Sequence, residues 1–373
     1  MRYTRAIINL KNIRENLSTI KRNLINPEKT SVIAVVKANA YGHGLIEIAK
    51  TATDWGTSHL AVAIPEEGLA LRQAQINSPI IVLGLIPPHD ALLCVQQDLI
   101  VTVSQKEHLP PLITAAKKLG KKASVLIKSD TGMNRIGTDH QGVINLAKQI
   151  SVIEEIEFHG LFTHFASAGG PDLTYAKMQA VKFQALINDL QALELRPPLV
   201  TTSASGASFT MPQCQFNAVR AGIAMYGLYP SNHLQAQYPL NPALKLVTNI
   251  AHLKKLPANQ SVGYEMTYHT EKECYIATLP VGYGDGYSRS LSNKARVLIN
   301  DKYYPLCGNV CMDQMMVCLD GENKAQVGDE VVLIGTQGEY SISLEELAQT
   351  AGTINYELAC AIAARVPREY VNN

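Results

Sequence analysis

The stretch that decides the fold is "VIAVVKANAYGHG", Val32 to Gly44. Four of its first five residues are β-branched, which favours a buried extended strand. That strand runs straight into Lys37, a side-chain type almost never found fully buried without a partner. A glycine-punctuated turn holding Tyr41 and His43 comes next, then a helix-like run from Leu45. Strand, polar tip, turn and helix make one βα unit, and such units place reactive groups at the strand tip. A lysine can also end a strand by snorkelling to solvent. The other strand ends have to decide between the two.

Outward from this unit, short β-branched runs alternate with amphipathic stretches. They read "HLAVAIP", "PIIVLGLIP", "LIVTVS", "ASVLIKSD", "EFHGLFTHFAS", "LVTTSASG" and "AVRAGIAMYGL". With the first, that makes eight strand candidates in roughly two hundred residues, the arithmetic of a (β/α)8 barrel. A doubly wound open sheet competes, but no GxGxxG follows the first strand. Near residue 238 the texture changes to short alternating strands with tight turns, as in "CYIATLPVGYGDGY", "KARVLINDKYYPL" and "DEVVLIG". Only "SLEELAQTAG" and "YELACAIAARV" read as helical there. The expected fold is therefore α/β: a TIM-type barrel over residues 11–238 and a mostly-β domain over 239–373. Residues 1–10, which alternate in "RYTRAIINL", are expected to pair with the β domain.

Composition narrows the function. The 373 residues carry a net charge of +1 with no long basic run, which gives nucleic acid or a membrane surface no electrostatic footing. No signal-peptide core and no apolar run of about eighteen residues is present, so a cytoplasmic protein without a membrane partner is expected. Seven scattered cysteines, without a CxxC pair, read as free thiols rather than a metal site. No metal is expected.

Reading the strand ends in order tests the opening question. The first offers Lys37, the fifth Lys128, the sixth His164, the seventh Ser205 in "SASGAS", and the eighth Arg220 followed by Gly222. A hydroxyl, a glycine and backbone N–H groups after the seventh and eighth strands are what a barrel phosphate site uses. Tyr41 could add a phenolic donor. A lysine beside such a corner points to pyridoxal 5′-phosphate, held as a Schiff base with its phosphate on the backbone.

At this point the residues resemble a known family. "AVVKANAYGHG" is similar to the cofactor-lysine signature of the alanine racemases. The likeness continues through "DTGMNRIG", "THFASA", "VRAGIAMYGLYP", "VGYE", "VGYGDGY", "CMDQ" and "INYELACAIAARVPR". The resemblance implies a homodimeric, pyridoxal-phosphate-dependent isomerase of fold type III that supplies D-alanine for peptidoglycan. It further implies that Lys37 binds the cofactor and serves as one base. Tyr264 would be the other base, reaching into the partner's barrel. Arg220 would face the pyridine nitrogen, and His164 would bridge Arg220 and Tyr264. Tyr41, Ser205, Gly222, the Ile223 amide and Tyr356 would surround the phosphate. Arg135, Met312 and Tyr283 would meet the substrate, the last two from the partner, and Lys128 would carry a carbamate as N6-carboxylysine beside Arg135. One departure stands out: Ala204 occupies a position where family members often have asparagine.

Two bases on opposite faces of Cα are the simplest route to racemisation. Free lysine and tyrosine both titrate near about 10, so a site that uses them must lower both. A protonated His164–Arg220 pair is the expected source of that field. The rival readings are a fold-type III decarboxylase, whose substrate motifs are not evident, and a non-catalytic single-barrel cofactor carrier, which would lack the β domain. A racemase of broader amino-acid range is the alternative hardest to separate, because pocket size is not written in the sequence.

Overall fold

The computed structural model describes residues 2–320 and 324–372. It divides into two compact units, one of Ile13–Ala40 with Leu45–Leu240, the other of Met1–Asn12, Tyr41–Gly44 and Asn241–Asn373.

The first unit is the barrel. Its strands are β2 (Ser31–Val35), β3 (His59–Val62), β4 (Ile80–Leu85), β5 (Leu99–Val103), β6 (Ala123–Lys128), β7 (Ile156–Phe162), β8 (Leu199–Thr201) and β9 (Ala218–Ala221). All neighbours are parallel and follow chain order, and β9 returns to pair with β2, Ile33 opposite Arg220. A single bridge, Ala204 with Arg220, joins the β8 end to β9 and nearly closes the ring. These strands are buried on both faces, as helix-covered parallel sheets must be, which is why they read as continuous β-branched runs. The intervening helices include Leu45–Trp55 and Thr174–Ala192. Fully buried Leu60, Ile80, Ile81 and Leu71 belong to this core. Each such side chain contributes about 1.5–3 kcal/mol relative to exposure.

The second unit is mostly strand. β1 (Arg5–Asn9) pairs antiparallel with β10 (Leu244–Asn249) and parallel with β20 (Arg368–Val371). Its alternating burial, with Ala6 and Ile8 inward, is the period-two pattern of a one-sided sheet. A three-stranded sheet of β11 (His252–Leu256), β14 (Cys274–Leu279) and β17 (Met315–Leu319) lies in the same unit. So does a short hairpin, β12 (Ser261–Val262) with β13 (Tyr268–His269). Its helices are Leu344–Ala351, capped by Ser343 Oγ accepting from Glu346 N at 3.0 Å, and Asn355–Ala361.

Candidate active site

In the barrel unit, β2 delivers Lys37 to a half-buried position at its C-terminal end. The segment after Lys37 is more than the glycine turn that the sequence pattern suggests. Ala38, Asn39 and Ala40 form a left-handed helical turn, with φ of 54°, 52° and 52°, and Tyr41 continues it at φ 51°. Each non-glycine residue so placed costs about 1–2 kcal/mol, so tertiary bonds must hold it. Ala38 N donates to Glu67 Oε1 at 2.6 Å, while Glu67 Oε2 accepts from Ala63 N at 2.8 Å. Ala40 N donates to Val36 O at 2.8 Å, and Asn39 Oδ1 accepts from Leu45 N at 2.9 Å. Glu67 thus braces the lysine turn. Its only sequence signal is an acidic residue in the first turn of a helix, which is too common to single it out.

Arg220, on β9, is buried and heavily bonded. Nη1 donates to Thr201 O and Oγ1, both at 3.0 Å. Nη2 donates to Thr163 O at 2.8 Å, Thr202 O at 2.9 Å and Nδ1 of His164 at 3.3 Å. Among the described residues none of its hydrogen bonds uses Nε. Burial lowers the guanidinium to about 10, so it keeps its charge at neutral pH. His164 is different. Burial first, then the cations Arg220, Arg135, Lys128 and Lys37, push the imidazole down to about 3. The ring is neutral and its Nδ1 lone pair accepts from Arg220. This corrects the expectation of a protonated pair: His164 adds no charge to that of Arg220, because burial and the surrounding cations disfavour its imidazolium.

Lys128 closes β6 and turns inward. Its Nζ donates to Ser129 O at 2.7 Å and lies 5.4 Å from the centroid of the Phe162 ring. Burial, helped by Arg220, lowers the ammonium to about 7. Arg135 is exposed, on a loop shaped by Asp130 Oδ1, which accepts from Gly132 N at 3.0 Å and Asn134 N at 3.1 Å. The two cations feel one another, Arg135 helping to lower the Lys128 ammonium.

The corner where the sequence reading expects an anion lies at the ends of β8 and β9. Ser205 Oγ accepts from Gly222 N at 3.0 Å and Ala224 N at 3.2 Å, which leaves its hydroxyl proton to donate. Ile223 follows, buried, in the turn Ile223–Tyr226. Ala204 precedes the helix Ser205–Thr210 as a cap without a side-chain acceptor.

The β unit holds the remaining residues. Tyr41 and Tyr356 lie with ring centroids 6.2 Å apart, tilted by 52°. Burial pushes the Tyr356 hydroxyl up to about 12. Tyr41 is pushed higher still by burial, with Tyr356 and Cys360 adding to it. Both are therefore neutral hydroxyl donors. Gly42 is obligatory beside them: at φ 82° an added Cβ would sit 2.0 Å from Ala359 O. Tyr283 and Met312 are adjacent through Tyr283 N to Cys311 O (3.0 Å) and Gly284 N to Met312 O (2.9 Å). Tyr264 sits at the tip of the β12–β13 hairpin, 72% exposed, with Met312 also exposed.

An eight-stranded parallel barrel whose strand ends present an amine, a buried arginine and a hydroxyl beside a glycine defines a class, the TIM-type barrels with polar groups gathered at the strand ends. Comparison with known proteins narrows it. The alanine racemase N-terminal domain model matches residues 8–230, and the C-terminal domain model matches residues 243–370. Alanine racemase from Halothermothrix orenii is 43% identical over 371 residues, covering 100% of this chain and 97% of its own. The solved alanine racemase of Bacillus anthracis with bound L-Ala-P superposes with a TM-score of 0.94 at 38% identity, covering 100% and 96%. A histidine racemase from Leuconostoc mesenteroides superposes at 0.91 with 30% identity, covering 100% and 98%. The chain belongs to the alanine racemase family.

Proposed function

We propose that this chain interconverts L- and D-alanine with pyridoxal 5′-phosphate as cofactor, as a homodimer whose sites draw residues from both subunits. The observation that carries the reading is Arg220. It is a buried, charged guanidinium whose Nη atoms are committed to Thr201, Thr202, Thr163 and His164, leaving Nε as the donor for a ring nitrogen. The free hydroxyl proton of Ser205 beside Gly222 and Ile223 suits a phosphate, and the neutral hydroxyls of Tyr41 and Tyr356 are donors of the kind that the family resemblance assigns to it.

Once bound, the cofactor supplies an electron-withdrawing ring that acidifies the substrate Cα–H. The protein does the rest. Lys37 would hold the cofactor, and its Nζ would take or return the proton on the D face. Tyr264 of the partner subunit serves the L face through its phenolic oxygen. Arg220 would face the ring nitrogen with a charged donor and so favour its unprotonated form, which would temper the electron sink and disfavour side reactions such as transamination. Neutral His164 orients Arg220 by accepting at Nδ1, rather than adding charge. Arg135 and Met312 hold the substrate, with Tyr283 at the mouth. The exposure of Tyr264, Met266, Met312 and Ile354 within one chain supports their use in a second subunit's site.

Reduction of the purified protein with borohydride, followed by peptide mapping, tests the cofactor. A pyridoxyl group on Lys37 is expected, together with absorption near roughly 420 nm before reduction. A coupled assay for both enantiomers tests the activity. A panel of larger amino acids, histidine included, tests the broader range that the Leuconostoc relative's name raises. Absence of a reducible group on Lys37 would overturn the reading.

A further inference from the structure

The tip of the β12–β13 hairpin is strained. Gly263, Glu265 and Met266 have φ of 77°, 62° and 51°, and the last two carry side chains that disfavour this region. The Tyr264 ring is mostly exposed, so its position depends on how the backbone beneath it is held.

That support comes from a distant part of the chain. Asn309 is only 8% exposed, and its Nδ2 donates to Tyr264 O at 3.1 Å and to Glu265 Oε2 at 3.3 Å. Arg289 Nη2 stands 3.7 Å from the same carboxylate. The two segments meet backbone to backbone: a Cβ on Gly308 would lie 2.6 Å from Val262 O. Asn293 ties the other side, accepting from Gly308 N at 2.6 Å and donating to Thr267 Oγ1 at 3.0 Å.

We propose that Asn309 is the positioning residue for Tyr264: its one amide group bonds the tyrosine's own carbonyl and the next residue's carboxylate, and so sets where the phenolic oxygen stands. A side-chain amide carries two N–H donors and so can serve both acceptors from one buried site without adding charge. An aspartate of the same shape would place a carboxylate against a carbonyl and a second carboxylate. The inference rests on the reading of Tyr264 as the L-face base, and the experiment separates the two.

L- and D-alanine are equal in energy, so any variant slows net racemisation equally in both directions. Deuterium wash-in from solvent, measured for each enantiomer before it converts, reports the two faces separately. In Asn309→Asp holoenzyme, exchange into L-alanine should fall by roughly ten- to a hundredfold, the scale of a misplacement near 1 Å. Exchange into D-alanine and the cofactor absorption should stay at wild-type levels. Adding Glu265→Gln returns an N–H donor to the pair and should recover part of the loss. If Asn309→Asp does not accumulate as folded holoenzyme, Asn309→Ser removes the same pair of bonds without new charge and carries the same expectation. Equal loss on both faces, or no loss, while Tyr264→Phe remains selective for the L face, would overturn the role of Asn309. If Tyr264→Phe is itself unselective, the two-base reading fails first and this proposal with it.

Discussion

Arg220 Nη2 donates to His164 Nδ1 at 3.3 Å, and the pair carries one positive charge, not two. A histidine held neutral inside a nest of cations binds fewer protons when folded than when unfolded. Between an unfolded value of about 6.5 and the folded value of about 3, the unfolded chain takes up the extra proton. Stability therefore rises with pH across that window and is lost as pH falls from about 6.5 toward about 3. Replacing His164 with asparagine should flatten this part of the stability–pH curve, measured by urea unfolding at several pH values. An unchanged slope would show that His164 is not the group responsible.

The cofactor anchor gives the plainest test. Lys37→Ala should purify without a borohydride-reducible cofactor bond and without racemase activity. A reducible bond surviving in that variant would remove Lys37 from the centre of the site.

Subunit sharing can be tested by complementation. Chains carrying Lys37→Ala and Tyr264→Phe, each inactive alone, are mixed under conditions of proven subunit exchange. Each heterodimer should then hold one site with both Lys37 and Tyr264 and one with neither, and activity should return. Continued inactivity would mean that Tyr264 serves its own chain.

Lys128 should be chemically reactive. Its amine is lowered to about 7 by burial and by Arg220, so near pH 8 it is mainly unprotonated and can add to carbon dioxide. The neutral amine nitrogen bonds to the carbon and releases one proton, which turns the uncharged amine into an anion suited to Arg135. Modification should therefore decline as pH falls below about 7. Mass spectrometry under native conditions, or a carbon-13 signal after labelling with bicarbonate, reads it directly. Lys128→Ala should lose activity that short carboxylates partly restore. Full activity in that variant, with no label on the wild type, would leave Lys128 as a buried structural amine.

Ala204 marks a place where the chain can be improved. It caps the helix Ser205–Thr210 without a side-chain acceptor. Ala204→Asn should supply one, worth about 0.5–2 kcal/mol in other helices, and add a donor at the anion corner. Slower loss of cofactor on dialysis and a raised melting temperature are expected. Faster loss would indicate that the asparagine does not reach the phosphate.

Much of this was legible in the residues themselves. The eight barrel strands announce themselves because a parallel strand covered on both faces needs apolar, β-branched residues without interruption, as in "SVIAV" and "LIVTV". Lys37, Lys128, His164, Ser205 and Arg220 stand out because each is polar where such a run ends. What no local pattern carries is the state of those groups. The left-handed turn after Lys37 is built of alanines and an asparagine, and persists because Glu67, distant in sequence, bonds Ala38 N. The neutrality of His164 and the weakened basicity of Lys128 arise from burial among cations delivered by other strands. Asn309 meets Tyr264 only once the strands around them are paired. Strand and helix periodicity is a property of neighbours along the chain, whereas charge state, strain and reach are set by neighbours in space, which only the folded structure brings together.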